Sequence, residues 1–97
     1  MKPIYTCTTY RCVEHEAVEQ LEEGCVVGLT DCGVRGDARR TWRDGAGTGV
    51  TYTVRIYKTG LEALPLLIED GFDAASAVRK LTEYVRDEAA RLNGREV

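Results

Sequence analysis

The sequence predicts a two-layer α+β domain in which helices pack on one face of an antiparallel sheet, in the order β-α-β-β-β-(short α)-α. Three observations carry that prediction. "VTYTVRIYK", residues 50–58, sets Val50, Tyr52, Val54 and Ile56 against Thr51, Thr53, Arg55 and Tyr57 with the two-residue period of a strand. Residues 74–92 place Ala74, Ala77, Val78, Leu81, Val85, Ala89 and Leu92 on one helical stripe. The glycine-rich "GAGTG" at 45–49 joins two strand-like runs, as a hairpin loop does. At 97 residues, 43% hydrophobic and 30% charged, the chain supports one core, so residues 1–97 are read as a single domain.

The first strand is expected over "PIYTCTTYR", residues 3–11, which alternates and is rich in β-branched and aromatic side chains. From Val13 the period becomes helical through Ala17, Val18 and Leu21, and Gly24 closes a helix over 13–23. "CVVGLT", 25–30, is a short apolar run suited to a buried strand, and "DCGVRGDA", 31–38, carries the punctuation of a loop, with its "RGD" read as a turn. "RRTWRD", 39–44, forms the first arm of the hairpin, an edge strand kept soluble by arginine, and 50–58 forms the second. In "TGLEALPLLIEDG" the spacing of Leu61, Leu64 and Ile68 is helical but Pro65 cannot lie inside a helix, so a short helix is expected from about Pro65. Asp73 supplies the cap of the last helix, Phe72 its staple onto Ala77, and "NG" at 93–94 its end.

From the first helix onward the segment order is that of a double-stranded RNA-binding domain. "GFDAASAVRKL" nevertheless puts Asp73 and small residues where such a domain needs a run of lysines, so the order alone assigns no family.

No enzyme signature survives inspection. His15 is the single histidine, and "HEAVE" has Glu19 where the metalloprotease helix carries its second histidine. A catalytic Cys–His pair needs an electropositive setting, and the glutamates around His15 supply the opposite. "GAGTG" precedes a strand, whereas a phosphate loop opens a helix. The chain is therefore expected to be non-enzymatic and to need no cofactor.

A zinc site from Cys7, Cys12, His15, Glu19 and Cys25 is conceivable as a small metal-binding domain. The gaps from Cys7 to Cys12 and from Cys25 to Cys32 are wider than a zinc knuckle uses, so no metal ligands are assigned. Residues 1–10 lack the apolar run of a signal peptide, and no stretch approaches the roughly 18 apolar residues of a membrane span. A cytoplasmic protein with reduced thiols and no membrane partner is the expectation.

Charge distribution is the most informative signal. The net charge of −3 and pI near 5.1 argue against generic nucleic-acid affinity. Between Cys12 and Val34 there is no Lys or Arg, while Glu16, Glu19 and Glu23 fall on one stripe of the first helix with Glu22 and Asp31 flanking. Like charges at this spacing cost about 0.2–0.5 kcal/mol per pair, and Glu22 and Glu23 also oppose the negative end of the helix dipole. A second acid-only stretch, 61–78, holds Glu62, Glu69, Asp70 and Asp73. The expected function is a protein-binding module whose acidic face docks on a basic, nucleic-acid-binding protein partner. By analogy of size and charge, this extends to phage-type inhibitors of host nucleic-acid-targeting defence complexes. The alternative is a nucleic-acid-binding hairpin using Arg39, Arg40, Trp42 and Arg43, joined by Arg55.

Overall fold

The computed structural model describes residues 5–6, 11–41, 50–61 and 63–92. Its elements are β1 (Tyr5–Thr6), β2 (Arg11–Cys12), α1 (Glu14–Glu22), β3 (Val27–Asp31), β4 (Val34–Arg40), β5 (Tyr52–Lys58), β6 (Leu67–Phe72) and α2 (Ala74–Leu92). The strands form one antiparallel sheet in the order β2-β1-β3-β4-β5-β6. Both helices lie on one face, α2 across β3, β4 and β5, and α1 beside it. The α+β class and the helix-on-one-face architecture are as the sequence predicts.

The hairpin expected around residues 45–49 is the β4–β5 pair, in register from Val34↔Lys58 to Arg40↔Tyr52. It extends to Thr41, whose N–H donates to the Thr51 carbonyl at 2.9 Å. The "GAGTG" loop itself lies outside the described residues, as do Trp42 and Arg43.

Four local expectations are corrected. The single strand over 3–11 is instead two short strands, β1 and β2, paired back on each other as Tyr5↔Cys12 and Thr6↔Arg11. The loop over 31–38 shrinks to Cys32 and Gly33, both at positive φ, 46° and 83°, as a two-residue hairpin of the primed type requires. "RGD" at 35–37 is therefore strand, and β4 is an interior strand between β3 and β5, not an edge. The short helix expected from Pro65 is strand β6. Leu67 and Phe72 turn onto the core while Leu61, Leu64 and Ile68, whose spacing looked helical, are exposed.

The helix ends follow local chemistry. Gly24, at φ 98°, closes α1 with two hydrogen bonds, Gly24 N–H to the Leu21 carbonyl and Cys25 N–H to the Gln20 carbonyl, each 3.0 Å. This is the six-to-one and five-to-two pattern of a Schellman cap. Asp73 accepts the Ser76 N–H at 2.7 Å and so caps α2, and that hydrogen bond holds its carboxyl below the usual range.

The core lies between α2 and the sheet, where Ala77, Val78, Leu81, Val85 and Ala89 meet Val27, Val34, Ala38, Val54 and Ile56. Ala17 and Leu21 bring α1 into the same cluster. Gly36 sets the depth of the contact: a Cβ there would stand 2.6 Å from Ile56 Cδ1, 2.6 Å from Leu81 Cδ1 and 2.7 Å from Val85 Cγ2. Along a strand, alternate side chains face opposite ways. With Val34, Gly36 and Ala38 under α2, the side chains of Arg35, Asp37 and Arg39 point to the other face.

Candidate functional site

That other face is covered by neither helix among the described residues. The register aligns Asp37 with Gly28 on β3 and Arg55 on β5, and Arg35 with Thr30 and Tyr57. Cross-strand partners share a face, so Arg35, Asp37, Arg39, Arg55 and Tyr57 form one group. Ile68 lies opposite Arg55 on β6, and exposed Leu66, just before β6, donates its N–H to the Ile56 carbonyl at 2.7 Å.

At the centre of the group Asp37 is only 3% exposed, and Tyr57 only 5%. The Tyr57 hydroxyl donates to Asp37 Oδ2 at 2.7 Å, and Arg39 Nε reaches Oδ1 at 3.4 Å. Burial pushes the Tyr57 phenol above its ordinary pKa, and its hydrogen bond to the Asp37 carboxylate pushes the same way. The Arg55 guanidinium lies 5.8 Å from the centre of the Tyr57 ring, and its Nε is buried with no hydrogen-bond partner among the described residues. On β3, β4 and β5 this face otherwise carries Thr30 and Thr53, so Asp37 is its single carboxylate there against Arg35, Arg39 and Arg55.

The acidic residues singled out from sequence, Glu16, Glu19, Glu22, Glu23 and Asp31, lie in the helix layer or on its side of the sheet. At 100° per residue, Glu22, His15, Glu19, Glu23 and Glu16 follow one another around the side of α1 that opposes buried Ala17 and Leu21. Glu19, Glu22 and Glu23 are exposed. Glu16 is half-buried, and its Oε1 accepts the Val13 N–H at 3.2 Å. It therefore works as the reciprocal half of a helix cap, the other half being absent because Val13 has no side-chain acceptor. No basic residue occupies the last turn of α1. Asp31 is half-buried at the end of β3, paired with Val34, and its side chain is on the helix side of the sheet.

A shallow depression of about 370 Å³ between α1 and the first turns of α2 is lined by Glu14, His15, Val18, Glu19, Ala75 and Arg79. Arg79 thus brings a cation beside Glu14 and Glu19 that neither acid-only stretch contains. Of the second acid-only stretch, Glu69 accepts a hydrogen bond from the Tyr84 hydroxyl at 3.2 Å and Asp73 is the α2 cap.

Of the arginine hairpin anticipated from sequence, Arg39 and Arg40 are described, whereas Trp42 and Arg43 lie outside the described residues. Arg39 and Arg40 alternate, Arg39 onto the open face and Arg40 to the helix side beside Tyr52. The structure joins Arg39 instead to Arg35 and Arg55. The signal was present in "VRGDARR", where Val34, Gly36 and Ala38 alternate with Arg35, Asp37 and Arg39, and the two glycines and two aspartates of 31–38 obscured it.

Among the described residues no group of three His, Cys, Asp or Glu side chains is placed to hold a metal ion. Cys25 Sγ lies 3.4 Å from Gln20 Oε1 and Cys32 is exposed at the β3–β4 turn. Cys7 of the hypothetical zinc set, and the Cys12 side chain, lie outside the described residues. No described helix is long and apolar enough to cross a membrane. The site and fold together define an antiparallel sheet domain with both helices on one face, three arginines on the other and a row of carboxylates on α1. Comparison with protein-family models, curated proteins and solved structures finds no match to this chain.

Proposed function

We propose that the protein is a non-enzymatic, cytoplasmic binding module that docks the solvent side of α1 on a basic surface of a protein partner. The observation that carries this reading is the exposed row Glu19, Glu22 and Glu23, set opposite the helix's buried side with no basic residue in its last turn. Folding alone favours a cation at that end of a helix, so the glutamates there are retained at a small cost in stability. A row of carboxylates accelerates encounter with a positive surface and can stand where phosphates otherwise bind. Inhibition of a nucleic-acid-handling complex, of the kind phages direct at host defences, is the biological form this chemistry suits.

The test is affinity capture from host cells at low and high salt, with the wild-type chain and a Glu19→Lys, Glu22→Lys, Glu23→Lys variant. Glu16 is left intact because it caps the helix. Wild type should retain a basic protein at low salt and release it at high salt. The variant should associate with that protein about 10- to 1000-fold more slowly. Equal capture by the variant, with unchanged circular dichroism, removes the reading.

A further inference from the structure

The sheet face opposite the helices offers a second and differently charged surface. Across it run Arg35 and Arg39 on β4, about 13 Å apart at strand spacing, then Arg55 and Tyr57 on β5, then Leu66 and Ile68 at the β6 edge. Arg35 and Arg55 form no ion pair among the described residues, while Arg39 shares the one buried carboxylate, Asp37. Ile68 is 57% exposed and Leu66 43%, so an apolar strip stands directly beside the cations. We propose that this face docks an acidic segment of a partner protein, with carboxylates on Arg35, Arg39 and Arg55 and apolar side chains on Leu66 and Ile68.

Charge complementarity and shape choose that occupant. Guanidinium groups bind carboxylates through paired, charge-assisted hydrogen bonds, and Arg35 and Arg39 present exposed guanidinium groups on this face. Single-stranded nucleic acid would bring phosphates to the same arginines but also needs aromatic faces on which bases stack. Tyr57, the aromatic side chain described on this face, is 5% exposed and lies under Arg55. A second copy of the chain does not fit either. The acidic side of α1 belongs to the opposite layer, so seating it here makes a heterologous head-to-tail contact, which yields a ring or an open series and no self-complementary dimer. Pairing β6 with its own copy would bring two sets of Glu69 and Asp70 to one edge.

The probe is a fluorescein-labelled peptide with an acidic half of glutamates and an apolar half of leucine and isoleucine. A copy with Gln for Glu and a labelled oligothymidylate serve as comparisons. Fluorescence anisotropy should show saturable binding of the acidic peptide, with perturbed backbone amide signals confined to β4, β5 and β6. The Gln copy should bind about tenfold more weakly or worse, as should Arg55→Gln protein, each having lost a charge-assisted contact. If Arg55→Gln fails to fold, Ile68→Asp, at an exposed edge position, carries the same expectation. The Glu19, Glu22, Glu23 lysine variant should bind the peptide undiminished, which separates this surface from the one proposed on α1. Absence of binding, equal binding of the Gln copy, tighter binding of oligothymidylate, or amide changes on α1 would each overturn the proposal.

Discussion

Tyr57 donates a 2.7 Å hydrogen bond across β4 and β5 to Asp37, a carboxylate 3% exposed on a sheet face that neither helix covers. A buried carboxylate is stable only with hydrogen bonds and nearby positive charge, and both are at hand. Tyr57 occupies Oδ2, Arg39 approaches Oδ1, and Arg55 lies directly opposite on β5. These contacts tie Tyr57 and Arg39 to Asp37 at the centre of the open face, and Arg55 rests over the Tyr57 ring.

Tyr57→Phe keeps the ring and removes the donor, leaving Asp37 Oδ2 buried without it. The expected loss is about 1.5–3 kcal/mol in urea unfolding at neutral pH, the range for hydrogen bonds to charged groups. The alkaline limb follows from the raised phenol pKa of Tyr57 in the folded chain. Its contribution is full below the unfolded value near 10 and is lost as pH rises through the higher folded value. Stability of the wild type should therefore fall above pH ~10, and Tyr57→Phe should fall less steeply. Some slope remains in the variant, since burial also raises the Tyr5 and Tyr84 phenols. An identical alkaline slope in both proteins would refute the assignment.

Cys32 sits at φ 46° in the β3–β4 turn, a left-handed conformation that a side chain with a Cβ adopts at a cost of about 1–2 kcal/mol. Gly33 follows at φ 83°, so Cys32→Asn creates the Asn-Gly pair that such turns favour. The variant should gain up to about 1 kcal/mol, raising the melting temperature by roughly 4–8 °C for a domain of this size. Because Cys32 is exposed, the urea m-value should not change. A lower melting temperature would show that the cysteine side chain contributes more than its backbone costs.

How far these features were legible depends on what each signal measures. Alternation in 50–58 and the stripe in 74–92 report burial directly, and both elements form, although β5 begins at Tyr52 and the outermost apolar residues, Val50 and Leu92, are exposed. "DCGVRGDA" misled because glycine and aspartate mark turns by backbone preference, whereas at Gly36 the absence of a side chain serves close packing under α2. Leu61, Leu64 and Ile68 misled in the opposite sense, being apolar at helical spacing yet exposed, so their period does not describe a buried face. Of the proposed docking residues, Glu19, Glu22 and Glu23 were visible as charge without counter-charge. Glu16 needed the structure to reveal its cap, and the Asp37–Tyr57 contact needed the β4–β5 register.

Gly36 gives the sharpest test of how α2 meets the sheet. Its would-be Cβ lies within 2.7 Å of methyl groups on Ile56, Leu81 and Val85, all three fully buried, so these side-chain ends give way only by repacking the core around them. Gly36→Ala should on propensity alone be favourable in a strand, since alanine loses less backbone entropy than glycine. Overpacking opposes that gain and is the larger effect, costing about 1–3 kcal/mol through displaced rotamers and a lifted helix. A Leu81→Ala change by itself removes buried methyl groups and costs about 2–5 kcal/mol. Combining the two should cost less than the sum of the single losses, because the space vacated by Leu81 receives part of the new methyl. Denaturant melts of the two single variants and the double variant measure that coupling. Strict additivity would mean that α2 does not rest on Gly36.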